Sequence, residues 1–128
     1  MNVPLEPGVV VRLADLTLGH DPVDPAQTIK GAPMVGSASL ATLGDVEVGV
    51  WECTAGASTD TEVDEIFVVI SGRARIDFTS PALPSSEVGP GDLVRLAAGM
   101  QTVWTVTQTL RKVYIASGES AATALARE

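Results

Sequence analysis

The chain has 128 residues, enough for one hydrophobic core and too few for two independent ones. Its make-up, 45% hydrophobic and 19% charged, is that of an ordinary folded domain and argues against a disordered chain. Sixteen acidic residues against eight basic ones give a formal charge of −8; such a surface repels phosphate backbones and anionic lipid, so neither a nucleic-acid partner nor a membrane is expected.

The start, Met1-Asn2-Val3-Pro4-Leu5-Glu6-Pro7, lacks the basic-then-apolar pattern of a leader, and no apolar run nears the roughly 20 residues that cross a bilayer. A single cysteine, Cys53, rules out an internal disulfide and suits a reducing compartment, so a cytoplasmic location is expected. Cys53 stands in an apolar run with no histidine beside it and reads as a buried, inert thiol.

In chain order, Val9-Val10-Val11-Arg12-Leu13 reads as a first strand on its β-branched content. Gly19 to Pro25 reads as a loop, because its prolines remove donors and its aspartates favour turns. Met34 to Leu43 is a weaker strand, and Val46 to Cys53 a stronger one that ends at Ala55-Gly56. Ile66 to Ile70 is wholly apolar, too short for a buried helix and stopped by Ser71-Gly72. Arg73 to Phe78 alternates charged and apolar positions as a half-exposed strand does. Ser80 to Ser86, with two prolines, reads as a loop, and Gly89-Pro90-Gly91-Asp92 as a type II turn with Gly91 at positive φ.

Leu93 to Leu96 resumes as a strand. Thr102 to Thr107 alternates with a period of two and places Thr102, Trp104 and Val106 on one face; Lys112 to Ala116 closes the set. Short strands with turn signals every 8–12 residues imply a sandwich or barrel. The fold expected is all-β, with residues 1–45 as N-terminal strands and loops packed on a barrel of residues 46–116. Residues 117–128 follow as a C-terminal tail or short helix, the whole forming a single domain.

The block 46–116 resembles the cupin superfamily (RmlC-like barrels). The first cupin motif ends in a glutamate, six residues and a glycine, and Glu65 and Gly72 stand at that spacing. The second runs from a glycine-aspartate turn to proline-x-glycine; here Gly91-Asp92 leads to Ala97-Ala98-Gly99, with alanine in place of proline. Gly49-Val50-Trp51-Glu52, Asp64-Glu65-Ile66-Phe67, Gly89-Pro90-Gly91-Asp92, Gly99 with Trp104-Thr105-Val106, and Arg111-Lys112-Val113-Tyr114 are similar to the group that includes (S)-ureidoglycine aminohydrolase. The resemblance implies a double-stranded β-helix, the cupin jelly roll, and commonly a homodimer, which would also cover open strand edges.

The resemblance also implies a metal held by two histidines and a glutamate from the first motif and a histidine from the second. By spacing those histidines fall at Ser58 and Asp60, or Thr59 and Thr61, and at Thr102; the aminohydrolase's glutamine ligand falls at Thr102 or Gln101. Only Glu65 survives, so no metal and no other cofactor is expected. Glu62 and Asp64 could add carboxylates to Glu65 in a weak oxygen-only site, but read first as solvated turn residues; His20, the sole histidine, reads as an exposed loop residue.

Glu65 is the one catalytic candidate, as a general acid or base; equally, Arg73, Arg75, a strand N–H or a threonine could satisfy it structurally. The ligand pocket is expected to be formed by Trp51, Glu65, Phe67, Thr102, Trp104 and Tyr114. Three functions fit this reading. The first is a metal-free cupin that binds a small polar metabolite in its barrel. The second is an enzyme of the ureidoglycine-aminohydrolase type, or an isomerase or lyase, acting on a small nitrogenous or carboxylate compound. The third is a regulatory or scaffolding cupin without a small-molecule site. Fold alone does not choose among them.

Overall fold

The computed structural model describes residues 5–117. Nine strands follow one another: β1 (Asp21–Pro22), β2 (Thr28–Lys30), β3 (Met34–Leu43), β4 (Val46–Cys53), β5 (Gly56–Thr61), β6 (Glu65–Ser80), β7 (Ala82–Val88), β8 (Leu93–Leu96) and β9 (Gln101–Ser117). Among the described residues the only helical piece is a 3-10 turn at Leu13–Asp15.

Two long strands organise everything else. β6 has 16 residues and β9 has 17, well beyond the usual strand length of about 5–6 residues, and they pair antiparallel from Glu65↔Ala116 to Ser80↔Gln101. On its other edge β9 carries β4 along Leu110–Ser117 and β5 along Gln101–Val106. On its other edge β6 carries β8 at Glu65–Val68 and β7 from Ala74 onward. The two strands therefore belong to two sheets at once, β1-β3-β4-β9-β6-β8 and β2-β5-β9-β6-β7. These curl over one core, which is the double-stranded β-helix, or jelly roll.

The bend is built at Gly72. The β6–β9 register shifts between Val69, Ser71, Arg73 and Ala74, and Gly72 sits among these shifts at φ +91°. A Cβ there would lie 2.0 Å from the Thr109 carbonyl oxygen, so a side chain is excluded both sterically and conformationally. The two segments read separately, Ile66–Ile70 and Arg73–Phe78, are thus one strand bent over a bulge. Likewise Thr102–Thr107 and Lys112–Ala116 are two ends of β9.

The core lies between the sheets and draws Phe67, Val69 and Ile76 from β6, Trp104, Leu110 and Tyr114 from β9, Cys53 from β4 and Leu96 from β8. A smaller cluster on the outer face packs Leu16 and Leu18 of the N-terminal segment on Ala38 and Val50. That segment is also tied down by charge. Arg111 donates to the Leu13 carbonyl at 2.7 Å and to Glu52 at 2.9 Å, and His20 lies 2.6 Å from the other oxygen of Glu52. His20 is exposed, as expected, but its ring is engaged by this carboxylate.

Three expectations are corrected, one of them the Gly19–Pro25 loop, in which Asp21–Pro22 pairs with β3 as β1. Val9 to Leu13 forms no strand; Val9 and Val10 are 48% and 68% exposed, and the stretch ends in the 3-10 turn at Leu13–Asp15. β-branched content by itself does not make a strand, because strand preference depends on packing against neighbours. The proline-bearing Ser80–Ser86 stretch is largely strand: β7 pairs with β6, after a cis Ser80–Pro81 bond. It is an edge strand, where a missing proline N–H can face solvent. β5, small and polar in composition, has no counterpart in the sequence reading. The C-terminal tail lies beyond Ser117, outside the described residues.

Candidate functional site

The inward face of the larger sheet follows from strand parity. Ser37, Trp51, Lys112 and Val69 lie in one row across β3, β4, β9 and β6, and Ser39, Gly49, Tyr114 and Phe67 in the next. A cavity of about 100 Å³ opens between this face and the smaller sheet. Its wall includes Trp51, Cys53, Trp104 and Tyr114, with Glu62, Glu65 and Lys112 as polar groups and Asp24, Gln27 and Thr59 toward solvent.

Of the six residues expected to form the pocket, Trp51, Glu65, Trp104 and Tyr114 line this cavity. Phe67 and Thr102, each only 1% exposed, lie behind the wall. Gly49 makes room for Tyr114, since a Cβ there would meet the phenol oxygen at 2.3 Å.

Glu65 is 7% exposed and turned inward, and its partner is none of those anticipated. Lys112 Nζ donates to Glu65 Oε2 at 3.0 Å; the two side chains are 7% and 5% exposed respectively. The ammonium sits among three rings, 4.3 Å from the centre of Phe67, 4.6 Å from Trp51 and 5.1 Å from Trp104. Aromatic faces attract a cation, by up to about 2 kcal/mol each where water is excluded. The rings also brace one another: Trp104 lies 5.9 Å from Trp51 and 5.7 Å from Phe67, both pairs tilted.

Glu62 is a second correction. It is not a solvated turn residue but 4% exposed, and its Oε2 accepts from Thr102 Oγ1 at 2.6 Å and Trp104 Nε1 at 2.9 Å. Its backbone is pinned as well, N–H to the Met100 carbonyl at 2.7 Å and carbonyl from Gly99 N–H at 3.0 Å. Glu62 therefore fixes the orientation of an indole that forms part of the cavity wall. Asp64 is engaged elsewhere, accepting from the Ala98 N–H at 2.8 Å.

These residues do not fit the metal that the cupin resemblance implies. Ser58, Thr59, Asp60 and Thr61 stand where imidazoles would be needed, and the Thr102 hydroxyl is committed to Glu62. Glu65, the one retained ligand, already faces an ammonium, whose charge repels a divalent ion. Among the described residues no group of three or more histidine, cysteine, aspartate or glutamate side chains is placed to hold a metal. What the arrangement can do is bind: a small aromatic-walled space with a few fixed polar groups.

Lys112 was the residue the sequence concealed. It stands beside Arg111 and reads as one of two surface charges on a strand, yet the inward parity of Thr102, Trp104 and Val106, carried on to Tyr114, includes it.

A family model for the EutQ-like cupin domain matches residues 40–114, more than half of the chain. No curated protein matches it in sequence. Among solved structures, a protein of unknown function from Pseudomonas syringae pv. tomato is 28% identical with a TM-score of 0.66. That match covers 79% of this chain and 44% of the other, so this chain spans less than half of that relative's length. The EutQ protein of Clostridium difficile is 20% identical over 75% of this chain and 79% of its own, with a TM-score of 0.59. A Salmonella typhimurium structure described as ethanolamine utilization protein Q is 15% identical over 80% of this chain and 96% of its own, with a TM-score of 0.57. At these identities the last two likenesses bear on fold alone.

Proposed function

Because the chain belongs to the EutQ-like cupin domain family, we propose that its barrel is a metal-independent binding site for a small polar metabolite. One observation carries this reading: a cavity walled by Trp51, Trp104 and Tyr114 that holds a buried carboxylate–ammonium pair, Glu65 and Lys112. A barrel serving only as a scaffold gains nothing from two buried charges, because desolvation offsets most of their attraction. Apolar walls with a few fixed polar groups are what small-molecule sites share.

Thermal unfolding of chelator-treated protein across a panel of small polar metabolites tests the reading. A ligand present at a hundred times its dissociation constant stabilises the native state by about 2.7 kcal/mol, a rise of several degrees for a domain of this size. A panel in which no compound moves the midpoint counts against it and favours the scaffold.

A second reading is an enzyme of the (S)-ureidoglycine-aminohydrolase type. The Glu65–Lys112 contact inside the cavity supports it, since a carboxylate there could take or give a proton. Ammonia release from (S)-ureidoglycine, lost in Glu65→Gln, would establish that reading; no release from the wild-type chain would remove it.

A further inference from the structure

Among the buried polar groups of the cavity is a cation with hydrogen-bonding capacity to spare. An ammonium carries three N–H donors, and among the described residues Glu65 takes one, at 3.0 Å. Trp51, Phe67 and Trp104 surround the nitrogen with ring faces, which attract its charge without supplying a carboxylate or carbonyl acceptor. Lys112 nevertheless forms part of the cavity wall. The rest of the polar wall is acidic: Asp24, Asp60 and Glu62 join Glu65, four carboxylates against one ammonium. Asp24 is exposed at the solvent side, whereas Glu65 and Lys112 are buried. Acidic groups thus extend from the mouth, at Asp24, to the buried carboxylates around the one ammonium, Lys112.

We infer that Lys112 stands in for the barrel's missing metal as the ligand's anchor, and that the ligand is a small amino carboxylate, a zwitterion. The inference rests on the reading of the barrel as a ligand cavity. A plain carboxylate would meet an ammonium already neutralised by Glu65 and three further negative charges. A plain amine would meet Lys112. A zwitterion satisfies both ends, its carboxylate on the spare N–H donors of Lys112 and its ammonium toward Asp24. The cavity sets the size: about 100 Å³ is room for roughly seven to ten waters at 10–15 Å³ each, hence for a ligand of few heavy atoms.

Trp51 and Trp104 are the two tryptophans of the chain and both line the cavity, so indole emission reports directly on its occupancy. Glycine, β-alanine, acetate and ethylammonium are titrated against the wild-type protein. Expected is a saturable change with glycine or β-alanine, at least tenfold tighter than with acetate or ethylammonium. The double variant Glu65→Gln with Lys112→Met removes both charges at nearly constant shape and should weaken the amino carboxylate at least tenfold. Should that variant not fold, Asp24→Asn, at the solvent side, should weaken the amino carboxylate tenfold and leave acetate no weaker.

Equal affinity for acetate or ethylammonium, or amino-carboxylate binding that survives the neutral pair, overturns the inference. If none of the four probes changes the emission but another polar metabolite does, the inference falls and the ligand cavity stands. If no compound in a broad panel binds, both fall.

Discussion

A single carboxylate can hold a wall in place, and Glu62 does so by accepting from Thr102 and Trp104 together. Glu62→Ala leaves Trp104 Nε1 only the Thr102 hydroxyl at 3.1 Å and that hydroxyl only the Asp60 carbonyl at 3.5 Å, a loss of about 1–3 kcal/mol, whereas Glu62→Gln keeps an acceptor oxygen and should cost distinctly less. Urea midpoints of the two variants give the comparison; equal losses would mean that the hydrogen bonds contribute little. Lys112→Ala leaves Glu65 buried without its ion-pair partner and is expected to cost about 3–5 kcal/mol, most of it recovered when Glu65→Gln is added. Additive losses in that double variant would contradict the pair. At this scale the sequence was half legible. Glu65 opens an apolar run and so reads as interior, but its partner lies 47 positions away, a separation at which nothing local betrays a contact. Glu62 gave no signal at all, because an acidic residue before Val63 reads the same whether solvated or buried.

Among the elements, β6 and β9 carry the architecture, and the bulge at Gly72 lets them serve both sheets. Gly72→Ala combines a positive φ with a clash against the Thr109 carbonyl and should cost about 3 kcal/mol or more. A thermal midpoint within a degree or two of wild type would show that the bulge tolerates a side chain. The β6–β7 hairpin has its own small pH signature. The Ser85 hydroxyl and then the Arg75 guanidinium hold Asp77 below the ordinary carboxylate range. A lowered native pKa adds stability above the unfolded-state value that is lost as pH falls through the folded one; since Asp77 is exposed, the effect on the unfolding midpoint below pH 4 should be slight. Strands with alternation or unbroken apolar runs were readable. The exposed edge strand β7 and the polar β5 were not, because pairing there comes from neighbours far along the chain and not from their own side chains.

For the whole molecule, the outer face of the larger sheet is unusually apolar. Ile66, Ile115 and Val48 lie side by side across β6, β9 and β4, with Val68, Val113 and Leu93 in the adjoining row. Ile66 is 37%, Ile115 43% and Leu93 72% exposed. A contiguous face of this kind suits a second copy of the chain, and self-association through it is expected to give a homodimer by light scattering. Ile115→Glu should yield the monomer mass, and deletion of residues 1–14 should leave the dimer; the reverse pattern would place the contact on the N-terminal segment. The fold was legible because strand periodicity and the glycine-aspartate turns are local, while the site was only partly so, because it is assembled from β4, β5, β6 and β9.

Held by an ammonium where the cupin resemblance implies a metal, the proposed ligand should need no metal ion to bind. Calorimetric titration of the metabolite that raises the thermal midpoint, performed once in chelator and once in excess Mn²⁺, tests that claim most directly. The expected result is the same affinity in both; binding that requires Mn²⁺, or that strengthens tenfold with it, would contradict it.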